Sequence, residues 1–206
     1  TYRAGLRAPL LVIPTGGGKT VIFSSITEGT QAKGKRILIL VHRDELLKQT
    51  SKHLDKLGID HGLIAPGRAM TVDPVQIAMV QTISRRLDKM RVCPDLIVID
   101  EAHHATAGQW RKTLEHFSAS RLLGVTATPC RMDGAGLGKK SGGFFDEILI
   151  GPTIRTLIDS GYLAQPLVYA PPTELDLSDV RVIGGDYDKH EIECRMDKPV
   201  ITGSAI

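Results

Sequence analysis

Four stretches of the chain, residues 10–13 (LLVI), 37–41 (ILILV), 96–99 (LIVI) and 122–125 (LLGV), are apolar almost without interruption, and each runs straight into a polar motif. A strand with one wet face alternates apolar and polar residues, whereas unbroken runs suit strands covered on both faces. The pattern predicts an α/β fold, a mostly parallel sheet with helices on both faces. In open sheets of this kind the ligand crevice lies beyond the carboxyl ends of the strands, so the four motifs are expected along one edge.

The first run leads into Pro14-Thr15-Gly16-Gly17-Gly18-Lys19-Thr20. Three consecutive glycines let backbone N–H groups turn inward around anionic oxygens, with Thr15 at the lip of the cradle. Lys19 supplies a point charge for the phosphates of a nucleoside triphosphate and Thr20 a hydroxyl for Mg²⁺. Position 13 is isoleucine where the general phosphate-loop pattern has glycine. The third run delivers Asp100-Glu101-Ala102-His103. Paired acids beside a phosphate cradle suit ATP hydrolysis: Asp100 holds the metal through water, and Glu101 orients or deprotonates the attacking water. Neighbouring side chains on a strand face opposite ways, so the backbone is expected to turn at these acids.

With Thr126-Ala127-Thr128-Pro129 after the fourth run, the chain resembles the first RecA-like domain of a superfamily 2 DEAD/DEAH-box helicase or translocase, over roughly residues 8–165. PTGGGKT corresponds to motif I, DEAH to motif II and TATP to motif III, in order. Val41-His42-Arg43-Asp44-Glu45-Leu46 is similar to motif Ia, and Val80-Gln81-Thr82 to a nucleic-acid-contacting segment ahead of motif II. The extension Cys130-Arg131-Met132-Asp133-Gly134 resembles DNA-directed members related to RadD and to the motor subunits of type III restriction enzymes. The resemblance implies a RecA-like P-loop NTPase fold, ATP and Mg²⁺ as cofactors, and nucleic acid as partner, DNA favoured over RNA. It implies coupling roles for His103, Thr126 and Thr128, and phosphate contacts by Arg43, Gln81, Thr82 and Arg131. On residue type alone the two threonines also suit a tight strand-end turn, and the arginines suit solvated surface or salt bridges.

The resemblance also implies an organisation: 1–165 as the ATP-binding domain, and 166–206 as a linker toward a second RecA-like domain that is missing from this sequence. That domain would bring the arginine finger, worth about 10³ to 10⁵ in rate in related phosphoryl-transfer systems. The adenine-contacting segment upstream of motif I is also missing, so these 206 residues are expected to bind nucleotide weakly and hydrolyse it poorly. The leading function is the motor half of an ATP-dependent DNA helicase or translocase. The alternatives are a nucleotide-dependent binding or remodelling module that never separates strands, and the motor part of a restriction nuclease.

Composition narrows the setting. A net charge of +3 leans toward anionic partners without amounting to a nucleic-acid footprint. No apolar run approaches membrane-spanning length and the first residues lack a secretory signal, so a cytoplasmic protein without membrane contact is expected. Cys93, Cys130 and Cys194 are scattered and read as free thiols. His103-His104 lacks the spacing and third ligand of a metal site.

Between the motifs, residues 44–57 carry Leu46, Leu47, Thr50, Leu54 and Leu57 at helical spacing and stop at Gly58, predicting an amphipathic helix with all its leucines in the core. Weaker signals predict strands at 61–65 and 77–80, a helix at 84–90, and core packing for Trp110 with Leu114 and Phe117. A glycine-rich loop bearing Lys139-Lys140 is expected from 134 to 143, either a solvated connection or a phosphate-tracking element. A helix at 152–160 closed by Gly161 and an extended exit at 162–169 are expected next, then a last helix opened by Asp188-Lys189-His190-Glu191.

Overall fold

The computed structural model describes residues 5–106, 108–129, 136–167, 177–183 and 186–196. The chain divides into two compact units, Thr1–Ala164 and Gln165–Ile206. In the first, the elements are β1 (Pro9–Val12), α1 (Lys19–Gln31), β2 (Ile37–Val41), α2 (Asp44–Lys56), β3 (Gly62–Ile64), β4 (Val75–Met79), α3 (Val80–Ile83), β5 (Leu96–Asp100), α4 (Gly108–His116), β6 (Arg121–Thr126), β7 (Glu147–Ile150) and α5 (Ile154–Asp159). Seven strands form one sheet in the order β3-β4-β2-β5-β6-β1-β7. Every pairing in it is parallel.

The unbroken apolar runs divide by alternate residues into two cores, as the pleat requires. Leu38, Leu40, Ile97 and Ile99 pack on one face with Val80 and Ile83 of α3 and Trp110, Leu114 and Phe117 around α4. Ile37, Ile39, Val41, Val98 and Val125 pack on the other with Phe23 of α1 and Leu47 and Leu54 of α2. Gly124 is needed in β6, since a Cβ there would lie 2.5 Å from the Phe145 ring and 2.8 Å from Leu10 Cδ1.

Helix α2 begins where expected, with Asp44 and Glu45 at its positive end and His53 and Lys56 in its last turn. It closes in a Schellman arrangement: Gly58, at φ 67°, donates its N–H to Asp55 O, and Ile59 donates to Leu54 O. This reversal corrects one expectation. Leu57, at the cap, is 45% exposed, and Ile59 takes the buried place beside Leu54. Two further expectations shift. The strand at 77–80 starts at Val75, and Val80 already opens α3. The helix expected at 84–90 is a turn followed by a single 3₁₀ turn at Leu87–Lys89.

Beyond the TATP motif, residues 130–135 lie outside the described set, and with them Cys130, Arg131 and Gly134. The segment from 136 to 146 is more ordered than a solvated connection. Leu137 and Phe145 are buried, and Lys139 pairs with Asp146, whose carboxylate also accepts the N–H groups of Arg7 and Ala8 at 2.9 and 2.8 Å. Asp146 thereby pins the edge strand β7, absent from the sequence reading, beside β1. Helix α5 is capped by Thr153 and closed by Gly161.

In the second unit, the hairpin β8 (Val182–Ile183) and β9 (Asp186–Tyr187) precedes α6 (Lys189–Met196). Asp188 Oδ1 accepts the N–H groups of His190 and Glu191, as its sequence position suggests. Glu191 turns instead to the Arg181 N–H at 2.9 Å. Among the described residues, no helix is long and apolar enough to cross a membrane.

Candidate nucleotide-binding site

The strand order sets the site. Leu11 and Val12 of β1 stand opposite Val125 and Thr126 of β6, and Asp100 of β5 stands opposite Val125 on the other side. β6 is thus the only strand between motif I and motif II, and its last residue is the first threonine of TATP. Two interstrand steps separate β1 from β5, about 10 Å.

Motif I leaves β1 with Ile13 donating its N–H to Thr126 O at 2.9 Å, then turns with Gly17 donating to Pro14 O at 3.0 Å. Gly16 and Gly18 take positive φ, 76° and 87°, and Gly18 caps α1. Gly17 does not take positive φ but has no room: a Cβ would lie 2.5 Å from Ile13 Cγ2. The isoleucine at the unusual position is thereby accounted for, since its side chain is buried under the loop's glycine. Thr15 is exposed, while Lys19 and Thr20 are half-buried in the first turn of α1, where N–H groups and the helix dipole favour anions. Lys19 Nζ lies 3.3 and 3.4 Å from the Ile13 and Pro14 carbonyls.

Motif II begins on the last residue of β5. Asp100 is 8% exposed, and burial, then the neighbouring Glu101 charge, push its carboxyl above the usual range against the opposing pull of the Glu101 N–H and of Lys19. Glu101 sits at φ 54°, ψ 52°, the only non-glycine with positive φ among the described residues. This is the expected turn, made in a left-handed conformation that costs a non-glycine about 1–3 kcal/mol and concentrates at functional sites.

His103 joins motifs II and III. Its Nδ1 is 3.0 Å from Thr126 Oγ1 and 3.3 Å from Glu101 Oε2. A carboxylate only accepts, so Nδ1 carries hydrogen. Thr126 Oγ1 accepts the Thr128 N–H at 3.1 Å and donates to Thr128 O at 3.0 Å. One buried hydroxyl thus both closes the TATP turn and faces the histidine, so the two readings of these threonines are compatible.

The expected nucleic-acid contacts divide. Arg43 is exposed at the start of α2 and forms no ion pair among the described residues. Gln81 donates to the His42 carbonyl at 3.0 Å, and Thr82 is only 8% exposed because α3 turns it inward. Two histidines come together that the sequence placed in motifs Ia and II without predicting their contact. His42 and His104 meet at 4.9 Å between ring centroids, and His104 and His103 at 4.1 Å, in a file from motif Ia to motif II. Burial, as the leading cause, lowers the pKa of both His42 and His104. Their position after apolar runs was the available signal; their contact depends on the β2–β5 pairing.

A parallel sheet with a glycine cradle, paired acids and a TATP turn along one edge defines a RecA-like α/β domain of the superfamily 2 helicase class. The family described as type III restriction enzyme, res subunit, matches residues 3–131, and the chain belongs to it. A 51.5 kDa protein of a Lactococcus phage (isolate 7-9) is 33% identical over 91% of this chain and 38% of its own length. The DNA 3'-5' helicase XPB of Kineococcus radiotolerans is 31% identical over 69% of this chain and 26% of its own. The Hef helicase domain of Pyrococcus furiosus shares the fold, with a TM-score of 0.59 and 23% identity over 70% of this chain and 35% of that one. The chain therefore spans well under half the length of these relatives.

Proposed function

We propose that the chain is the ATP-binding first motor domain of a DNA helicase or translocase, coupling ATP hydrolysis to movement along nucleic acid. The observation that carries this reading is the His103 contact, through which Glu101 of motif II and Thr126 of motif III share one imidazole beside the strand that leads into motif I. In this reading Gly16, Gly17 and Gly18 wrap the phosphates with Thr15 at the rim, and Lys19 neutralises their charge. Glu101 orients or deprotonates the attacking water. His103, Thr126 and Thr128 report the state of that reaction to Arg43, after β2, and to Gln81, in α3 after β4.

Thr20 and Asp100 fit Mg²⁺ by donor chemistry, a hydroxyl and a carboxylate, both hard oxygen ligands. A cation would also offset the cost of ionising the buried Asp100. Bound there, the metal would neutralise phosphate charge and polarise the transferring group. Productive turnover requires a second RecA-like domain, so these residues alone are expected to bind nucleotide weakly and turn it over slowly. DNA is favoured as substrate because the family is that of restriction motors and because a relative is named as a DNA helicase.

The test is ATP hydrolysis by the full-length protein with single-stranded DNA, duplex DNA or RNA. DNA of one form is expected to stimulate by about ten-fold or more, about 1.4 kcal/mol of barrier. Equal or greater stimulation by RNA would overturn the DNA assignment, and no stimulation by any polymer would overturn the motor itself.

A further inference from the structure

On the opposite edge of the sheet, at the amino ends of β2 and β4, a cleft of about 620 Å³ is lined by Arg36, Arg68, Arg86, Lys89 and Arg91, with Asp73 as its one carboxylate among the described residues. None of the five cations forms an ion pair among the described residues. Two of them are held in place. Arg36 donates from Nη2 to Val72 O at 2.6 Å, and Arg86 from Nη1 to Arg68 O at 2.9 Å, each leaving other N–H groups of its fork uncommitted among the described residues. Like charges gathered in one concavity repel one another, and a cleft focuses the resulting field into a site that attracts anions.

The lining also indicates the kind of anion. Four of the five cations are arginine, whose planar fork matches a phosphate better than an ammonium does. Among the described residues no aromatic side chain lines the cleft, which disfavours single-strand binding by base stacking. Backbone contact without base readout remains, and that is how a protein holds duplex regardless of sequence. We propose that this cleft is a second docking surface, for the phosphodiester backbone of duplex DNA, on the edge of the sheet remote from Arg43 and the nucleotide site. The choice of DNA as the polyanion rests on the motor reading above.

The test is fluorescence anisotropy of a labelled duplex with the 206-residue chain and with Arg68→Glu/Arg91→Glu, both positions being exposed, over a series of salt concentrations. The variant is expected to bind duplex about ten-fold more weakly at low salt, and its log–log salt slope to fall in magnitude by about 2, one for each lost phosphate contact. Binding of a fluorescent ATP analogue should be unchanged, which checks that the variant is folded. If the wild type binds duplex and the variant binds it equally well with the same slope, the cleft is overturned while the motor reading stands. If the wild type binds no duplex even at low salt, the cleft proposal falls, while the motor reading is still decided by DNA-stimulated hydrolysis in the full-length protein. Poly-glutamate displacing duplex from the wild type as effectively as unlabelled duplex would overturn the assignment to phosphodiester.

Discussion

Replacing Glu101 with glutamine is expected to lower kcat for ATP in the full-length protein by about 10² to 10⁴, the usual contribution of a positioned general base. Glutamine keeps the size and one acceptor oxygen, so the left-handed turn at position 101 and the contact with His103 Nδ1 can persist. The substitution removes the negative charge and the ability to take a proton. Nucleotide affinity should change by no more than about two-fold, since an interaction made only in the transition state lowers kcat without weakening ground-state binding. Single-turnover hydrolysis with saturating DNA measures the chemical step, and an equilibrium titration measures affinity. Hydrolysis retained at the wild-type rate would mean that another group activates the water.

Lys19→Ala acts on the other half of the reaction. The lysine's partners in the structure are two loop carbonyls at 3.3 and 3.4 Å, contacts too long to hold the loop together, and alanine is the best helix former for the first turn of α1. The fold should therefore survive, with an unchanged melting temperature. Losing a charge-assisted hydrogen bond of about 1.5–3 kcal/mol weakens nucleotide binding by about ten- to hundred-fold. A fluorescent ATP analogue titrated into the 206-residue chain and its variant reads this directly. Unchanged affinity would remove the loop from the nucleotide site.

Much of this architecture was legible because burial on both faces leaves a simple trace. β2 was bounded to the residue, and β1, β5 and β6 to within one at each end, since each is an unbroken apolar run. β7 left no such trace: as an edge strand it leaves Ile148 and Ile150 exposed, and its place depends on Asp146 reaching the N–H groups of Arg7 and Ala8, far away in sequence. Leu57 matched the helical spacing, yet the cap reversal at Gly58 turned it out to solvent. At the site, residue types pointed to the cradle and the acids. That the backbone turns at the acids followed from strand alternation, but its left-handed form at Glu101 did not, and the double contact of His103 arises only when β5 and β6 pair in register. The cations of the basic cleft are scattered between positions 36 and 91, and only the parallel β2–β4 pairing gathers them.

In the proposed reading the glycine cradle and the acidic strand end share one magnesium nucleotide. The most direct test is the metal dependence of binding of a non-hydrolysable ATP analogue to the 206-residue chain and to Asp100→Asn, titrated with Mg²⁺ and with EDTA. The wild type should bind about ten-fold more tightly with Mg²⁺ than without, the size of about one charge-assisted contact. The variant should lose most of that gain while keeping the metal-free affinity. The same Mg²⁺ enhancement in both proteins would contradict a metal held between Thr20 and Asp100, and with it the shared site.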